Sequence, residues 1–107
     1  MTYHIKVTEK ADNDIRNIYE YIAYELRSPG NAGNQLNRIE KCIMSLEYMP
    51  KRYRLYDREP WKSRGLHLVP IDNYCVLYFV NDENMTVSIM RVMYGGRDIR
   101  KQIEKYI

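Results

Sequence analysis

Two arginines and a tyrosine near the end of one predicted strand are well suited to bind an anion. Arg91, Tyr94 and Arg97 lie within residues 87–99, a stretch that begins with the alternating β-branched and apolar residues typical of a strand. The stretch breaks at Gly95-Gly96, because glycine enters positive φ without steric cost. The sequence therefore predicts that one strand carries these three side chains to one end of a sheet.

Positive charge is concentrated in two blocks of the sequence. Residues 50–65 contain six Lys or Arg against two Asp or Glu, and residues 91–107 contain five against two. If the fold brings the blocks together, their combined field attracts a polyanion or an acidic partner. The alternative is a solvated loop and a solvated tail, which the charge pattern alone does not exclude.

The elements that position these residues are readable from hydrophobic spacing. Alternation over residues 3–7 predicts a short strand, and Thr8 is a good N-cap for the helix that follows. Ser28-Pro29 ends this helix and begins a second one, which Pro50 ends. Each helix carries one apolar stripe, formed by Ala11, Ile15, Ile18, Ile22 and Leu26 in the first and by Ala32, Leu36, Ile39, Ile43 and Leu46 in the second.

The second half of the chain predicts three strands and a short helix. Residues 50–65 indicate a long surface loop that Trp61 anchors to the body. Strands are predicted at residues 66–71, 74–80 and 85–94, the middle one central because it is apolar on both faces, and Asp98 caps a final helix. We therefore expect an α+β fold: an N-terminal strand, an α-helical hairpin on one sheet face, an antiparallel three-strand meander and a short C-terminal helix. The second sheet face should be partly open or covered by something else.

Length and composition predict a single domain spanning residues 1–107, with no membrane-spanning segment and no signal peptide. Cys42 and Cys75 stand alone, as expected of buried thiols in the cytoplasm. The scattered His and Cys residues and the lack of a glycine-rich phosphate loop predict no metal and no cofactor.

Several segments, in order, resemble the RelE/ParE superfamily of toxins from type II toxin–antitoxin modules, also known as plasmid stabilisation proteins. The resemblance covers nearly the whole chain and rests on residues 11–15, 18–23, 43–46 with Pro50, 73–78 and 91–99. It implies a cytoplasmic toxin that inhibits bacterial growth and is neutralised by a cognate antitoxin, whose C-terminal segment wraps across it. It also implies one of two targets: DNA gyrase for members similar to ParE, or mRNA on the ribosome for members similar to RelE.

A nuclease similar to RelE would be a metal-independent mRNA endoribonuclease. Such a site needs a base, cations for the phosphorane charge and an acid. Arg97 matches the arginine that follows the last strand in that family. With it, Arg64 would hold phosphate, His67 would act as base or acid, and Tyr94 would stack on a base or donate a proton.

Other positions depart from the nuclease pattern. Cys75 stands where nucleases usually carry arginine in the central strand, and Ile103 stands where RelE has a tyrosine. Non-catalytic interpretations also remain open: His67 as a surface strand residue, Arg91 paired with Asp72 or another carboxylate, and Tyr94 packed under the tail. Enzymatic activity is therefore undecided by the sequence.

Two functions need no catalytic cluster. A gyrase inhibitor similar to ParE needs an interaction surface, which the tyrosine-rich helical hairpin and the basic loop can supply. A degenerate toxin would bind only its antitoxin.

Overall fold

The computed structural model describes residues 2–95 and 99–106, so Arg97 and the predicted cap Asp98 lie outside the described residues. Its elements run along the chain as β1 (His4–Val7), α1 (Glu9–Glu20), a π-helical turn (Tyr21–Glu25), α2 (Pro29–Ser45), a 3₁₀ turn (Pro50–Arg52), α3 (Trp61–Arg64), β2 (His67–Ile71), β3 (Tyr74–Asn81), β4 (Thr86–Tyr94) and α4 (Ile99–Tyr106). None of these helices is long and apolar enough to cross a membrane.

The four strands form one sheet in the order β1-β4-β3-β2. β2, β3 and β4 are the predicted antiparallel meander, with β3 inside the sheet and a register shift at Leu77/Tyr78. β1 pairs in parallel with β4, its residue His4 opposite Thr86. The expected α+β class, element order and mainly antiparallel sheet are confirmed. Pro70 lies on edge strand β2, where its missing N–H costs no central ladder bond.

The helical hairpin covers one sheet face through its predicted stripes. Ala11 of α1 and Ile39 and Ile43 of α2 are buried against Val76 and Val87 of the sheet. Thr8 caps α1 as expected, because its hydroxyl accepts the Ala11 N–H at 3.2 Å. The same hydroxyl donates to the Ile89 carbonyl at 2.7 Å, so the cap also fixes the helix to β4.

Two details of the hairpin differ from the prediction. The π-helical turn changes the helical phase after Glu20, since the Leu26 N–H reaches the Tyr21 carbonyl five residues back, and Leu26 is consequently exposed instead of continuing the stripe. The second helix begins at Pro29 as predicted but ends at Ser45, several residues before Pro50. The chain turns at Met49, whose φ of 47° lies in the left-handed region, and Pro50 begins the next turn.

The second sheet face is covered by the basic loop and α4. Leu66, Leu68, Cys75, Leu77, Met93 and Ile103 form a second apolar cluster, against which partly buried side chains of the loop and of α4 pack. Trp61 is one of them, which confirms its predicted role as the loop anchor. The loop is less irregular than expected, because it contains the 3₁₀ turn and α3.

Hydrogen bonds fix the start of the loop to the body. The buried Tyr78 hydroxyl donates to the Pro50 carbonyl at 2.6 Å. Arg52 donates to the carbonyls of Tyr48 and Met49 at the end of the hairpin. The loop therefore has a defined path over the sheet.

Candidate functional site

A cleft of about 270 Å³ opens where β2, β3 and β4 meet the start of α4. Its lining includes Arg54, Leu68, Tyr74, Cys75, Tyr94 and Ile99. The turn between β2 and β3 forms its rim, and Asp72 of that turn accepts hydrogen bonds from Gln35 Nε2 at 2.9 Å and Arg38 Nε at 2.6 Å. These bonds hold the rim against α2 and lower the pKa of the Asp72 carboxyl, chiefly through Arg38.

Two tyrosines border the cleft, but their rings pair on the hairpin side of the sheet, because Tyr74 packs against the cluster beneath the hairpin. Tyr74 and Tyr94 are directly opposite each other on β3 and β4, and their rings meet edge to face with centroids 6.2 Å apart. Tyr94 is 59% exposed, so it does not pack under the tail as one interpretation of the sequence had it. Its ring is open to solvent at the end of the sheet.

Arg54 supplies the positive charge of this cleft. Its carbonyl accepts the Leu68 N–H at 3.0 Å, which places the residue beside the edge of β2. Its guanidinium makes no ion pair with any described residue. The arginine is thus able to bind an anion in the cleft.

Cys75 lies in the same cleft but is poorly suited to chemistry. Burial raises the pKa of its thiol to about 11, although the Met93 backbone hydrogen bond and the Arg54 charge act in the opposite direction. The thiol is therefore protonated near neutral pH and is neither a base nor an activated nucleophile.

His67 lies in the core, so its interpretation as a surface strand residue is wrong. It is 8% exposed, its ring stacks on Tyr78 with centroids 5.2 Å apart, and Nδ1 lies 2.9 Å from the Tyr53 carbonyl. Tyr78 belongs to the core cluster beneath the helical hairpin, whereas Leu68 and Cys75 of the cleft belong to the cluster on the other face. His67 and the cleft are therefore on different sides of the sheet.

The remaining predicted residues do not assemble into one site among the described residues. Arg64 is exposed and its guanidinium lies over the Trp61 ring, 5.3 Å from the centroid, away from the cleft lining. Of the four residues predicted to be catalytic, Tyr94 lines the cleft, His67 and Arg64 do not, and Arg97 is not described. No three His, Cys, Asp or Glu residues within 2–95 and 99–106 are grouped to hold a metal ion.

Arg91 has a structural role. Its Nε and Nη2 donate to the two carboxylate oxygens of Asp14 at 2.7 and 2.8 Å, and the Val92 N–H donates to the same carboxylate at 3.0 Å. The prediction of a carboxylate partner is confirmed, although the partner is Asp14 and not Asp72. This pair fixes α1 to the edge of β4 beyond the end of β1.

Sequence reasoning missed Arg54 as a residue of the cleft. Its only signal was membership of the basic block, which does not distinguish it from five other cations. Its position depends on pairing of residues 54–55 with β2, including the bridge between Leu55 and His67, and no local pattern predicts that contact.

Comparisons with known proteins agree with this fold. A family model described as "ParE toxin of type II toxin-antitoxin system, parDE" matches residues 5–99. No curated protein matches the chain at a significant level.

Solved structures of toxin–antitoxin proteins share the fold. The chain is similar to the Pseudomonas aeruginosa chromosomal ParDE system (TM-score 0.73, 18% identity, 89% of this chain and 98% of that one). It is also similar to a mutant of Escherichia coli toxin RelE in the free state (TM-score 0.68, 14% identity, 99% of this chain and 94% of that one). A third similar structure is the Mycobacterium tuberculosis RelBE2 complex (TM-score 0.65, 23% identity, 88% of this chain and 99% of that one). Because the family model matches most of its length, the chain belongs to the ParE toxin family and is a toxin of a type II toxin–antitoxin system.

Proposed function

We propose that this toxin acts on DNA gyrase through protein contact and does not cut mRNA. The observation that carries this proposal is the burial of His67, the histidine predicted as general base. Its ring is held between Tyr78 and the Tyr53 carbonyl, on the sheet face beneath the helical hairpin. A base must come within hydrogen-bond reach of the proton that it removes, which this position does not allow for a substrate in the cleft.

The chemistry of the cleft also supports a non-catalytic function. Cleavage through a ribose 2′-hydroxyl needs a base, an acid and cations at the reacting phosphate. The cleft offers one arginine, Arg54, and a thiol at Cys75 that is held protonated. The exposed Tyr94 ring pairs with Tyr74 on the hairpin side of the sheet. Arg64 lies over Trp61 instead of contributing a second cation.

The tip of the helical hairpin is the surface that we assign to gyrase. This hairpin tip consists of Tyr21, Tyr24 and Leu26, all exposed, with Tyr24 the most exposed at 72%. The π-helical turn adds Leu26 to this surface, because it rotates that side chain out of the predicted stripe, whereas the two tyrosines lie outside the stripe. Exposed tyrosines are favourable anchors for a protein partner, since each buries a large ring at a small entropic cost.

The second proposed partner is the cognate antitoxin. A groove of about 270 Å³ runs between α1 and α2, with Ile15, Tyr19 and Leu36 in its lining. Asp12, Arg16 and Glu40 give the groove a charged rim. An amphipathic segment of the antitoxin fits these features, because its apolar side meets the floor and its polar side meets the rim.

The decisive experiment measures gyrase supercoiling and mRNA integrity with the same toxin. We expect inhibited supercoiling and, after induction in cells, intact transcripts by primer extension. Tyr24→Ala should raise the toxin concentration that gives half-inhibition by about 10-fold, because losing a side chain that contributes roughly 1.4 kcal/mol to the binding free energy weakens binding by that factor. Tyr48→Ala is the matched control, because Tyr48 is 60% exposed at the opposite end of the hairpin and should leave inhibition unchanged.

The alternatives give different results in that experiment. Codon-positioned cuts that disappear in Arg97→Ala would establish the mRNA endoribonuclease, with Arg97, Arg64, His67 and Tyr94 as its proposed site. Active gyrase, intact mRNA and normal growth together would identify a degenerate toxin that binds only its antitoxin.

A further inference from the structure

We propose that the sheet face opposite the helical hairpin binds the phosphate backbone of duplex DNA. This basic face consists of the exposed cations on two segments, Arg54, Arg58, Lys62 and Arg64 in the loop and Arg100, Lys101 and Lys105 in α4. The inference rests on the proposed function, because a toxin that contacts gyrase meets the DNA on which gyrase acts.

The fold joins the two basic blocks that are far apart in the sequence. Tyr56 and Trp61 of the loop pack on the same apolar cluster as Ile99 and Ile103 of α4. Because both segments pack on this one cluster, they are neighbours in the fold. Their cations therefore generate one field and not two separate ones.

Charge is distributed unequally between the two sides of the sheet. Residues 54–64 and 99–105 contain seven Lys or Arg against three Asp or Glu, whereas residues 9–45 of the hairpin contain five against six. A polyanion approaching the protein is consequently attracted to the basic face and not to the hairpin.

Several cations on the basic face are not neutralised by the protein itself. Two of the three nearby carboxylates form ion pairs, Asp57 with Lys62 at 3.1 Å and Glu104 with Arg100 at 3.3 Å, and the third, Glu59, accepts hydrogen bonds from Ser63. Four cations, Arg54, Arg58, Arg64 and Lys101, make no ion pair within the part of the chain that the structure describes.

The aromatic residues of this face favour duplex DNA over single-stranded RNA. Single strands are held by exposed aromatic rings on which successive bases stack. Tyr56 and Trp61 are instead partly buried in the apolar cluster, and the guanidinium of Arg64 lies over the Trp61 ring. The face therefore presents cations without open stacking platforms, which suits a backbone whose bases are paired.

The test is fluorescence anisotropy of a short labelled duplex DNA titrated with the toxin at several salt concentrations. Neutralisation of about three phosphates gives a slope near −3 in a log–log plot against salt, so affinity should fall on the order of 40-fold between about 50 and 200 mM. Arg58→Gln combined with Lys101→Gln removes one exposed cation from each segment. This double variant should reduce the magnitude of the slope by about two and weaken DNA binding by roughly 10-fold or more.

The matched control is Lys10→Gln combined with Lys41→Gln, which removes the same charge from exposed positions on the hairpin. We expect this variant to bind DNA nearly as the unmodified toxin does. Equal losses in both double variants would overturn the proposal, because they would reduce it to an effect of net charge. Absence of binding at low salt, or tighter binding of a single-stranded RNA of equal length, would also overturn it.

Gyrase inhibition is measured separately, so failure of one proposal can be distinguished from failure of the other. Inhibited supercoiling without DNA binding would reject the basic face and leave the gyrase proposal intact. DNA binding without inhibited supercoiling would reject the gyrase proposal.

Discussion

Substitution of Asp14 tests the ion pair that holds α1 to β4. Asp14 accepts three hydrogen bonds, two from Arg91 and one from the Val92 N–H, and the side chains of Asp14 and Arg91 are only 13% and 17% exposed. Asp14→Ala removes these bonds from a place where both side chains are largely desolvated. We therefore expect a large loss in the free energy of unfolding.

The expected loss is about 3 kcal/mol, toward the lower end of the range for breaking a buried ion pair, because this pair retains some solvent contact. Domains of this size have unfolding free energies of roughly 5–15 kcal/mol, so the variant should remain folded but marginal. With a denaturant dependence of about 1.5 kcal/mol per molar urea, the unfolding midpoint should fall by about 2 M.

Urea titration followed by circular dichroism measures this midpoint, and Asp12→Ala provides the control. Asp12 pairs with Arg16 on the same helix at 3.3 Å, but both side chains are more than half exposed. Its loss should cost under about 1 kcal/mol, including its effect on the helix dipole. Equal midpoints for Asp14→Ala and Asp12→Ala would refute the reasoning that burial makes the Asp14 pair strong.

Three further predictions follow from individual side chains. Tyr78→Phe should lower the unfolding free energy by about 1–2 kcal/mol in the same titration, because a buried loop carbonyl loses its donor. Arg38 keeps the pKa of the Asp72 carboxyl in the folded protein below its unfolded value of about 4. Their interaction therefore stabilises the fold above about pH 4, and this stabilisation is lost as the pH falls through the folded-state pKa. Asp72→Asn should flatten this part of the plot of unfolding free energy against pH. In a Cys42→Ser variant, Cys75 should react with a thiol reagent at pH 8 roughly 200-fold more slowly than free cysteine, and reaction at the free rate would show that its burial is not maintained.

The elements of the fold were predictable because their signals are local. The Thr8 cap, the Pro29 helix start and the two apolar stripes each depend on residues within a few positions of one another. Leu26 departs from its stripe because the π-helical turn changes the phase after Glu20, and hydrophobic spacing cannot register such a change in hydrogen bonding. The parallel pairing of β1 with β4 likewise has no local signal.

The candidate site was less predictable because its geometry depends on distant partners. The environment of His67 is set by Tyr53 and Tyr78, which are distant in the sequence. Strand alternation alone therefore did not determine which face of β2 would be the more deeply buried. Arg54 reaches the cleft only because the loop pairs with β2. Residue type therefore indicated which side chains had useful chemistry, whereas loop pairing and face assignment decided which of them meet.

The pairing of β1 with β4 also determines when the toxin becomes a folded protein. His4 and Thr86 are separated by 82 positions, and the Asp14–Arg91 pair has a similar span. During synthesis, β1 and α1 leave the ribosome long before the strand on which both depend. The nascent chain consequently lacks the completed sheet until residues 86–92 have been made, and closing so long a loop slows folding. The native sheet is therefore completed late, after most of the chain has been synthesised.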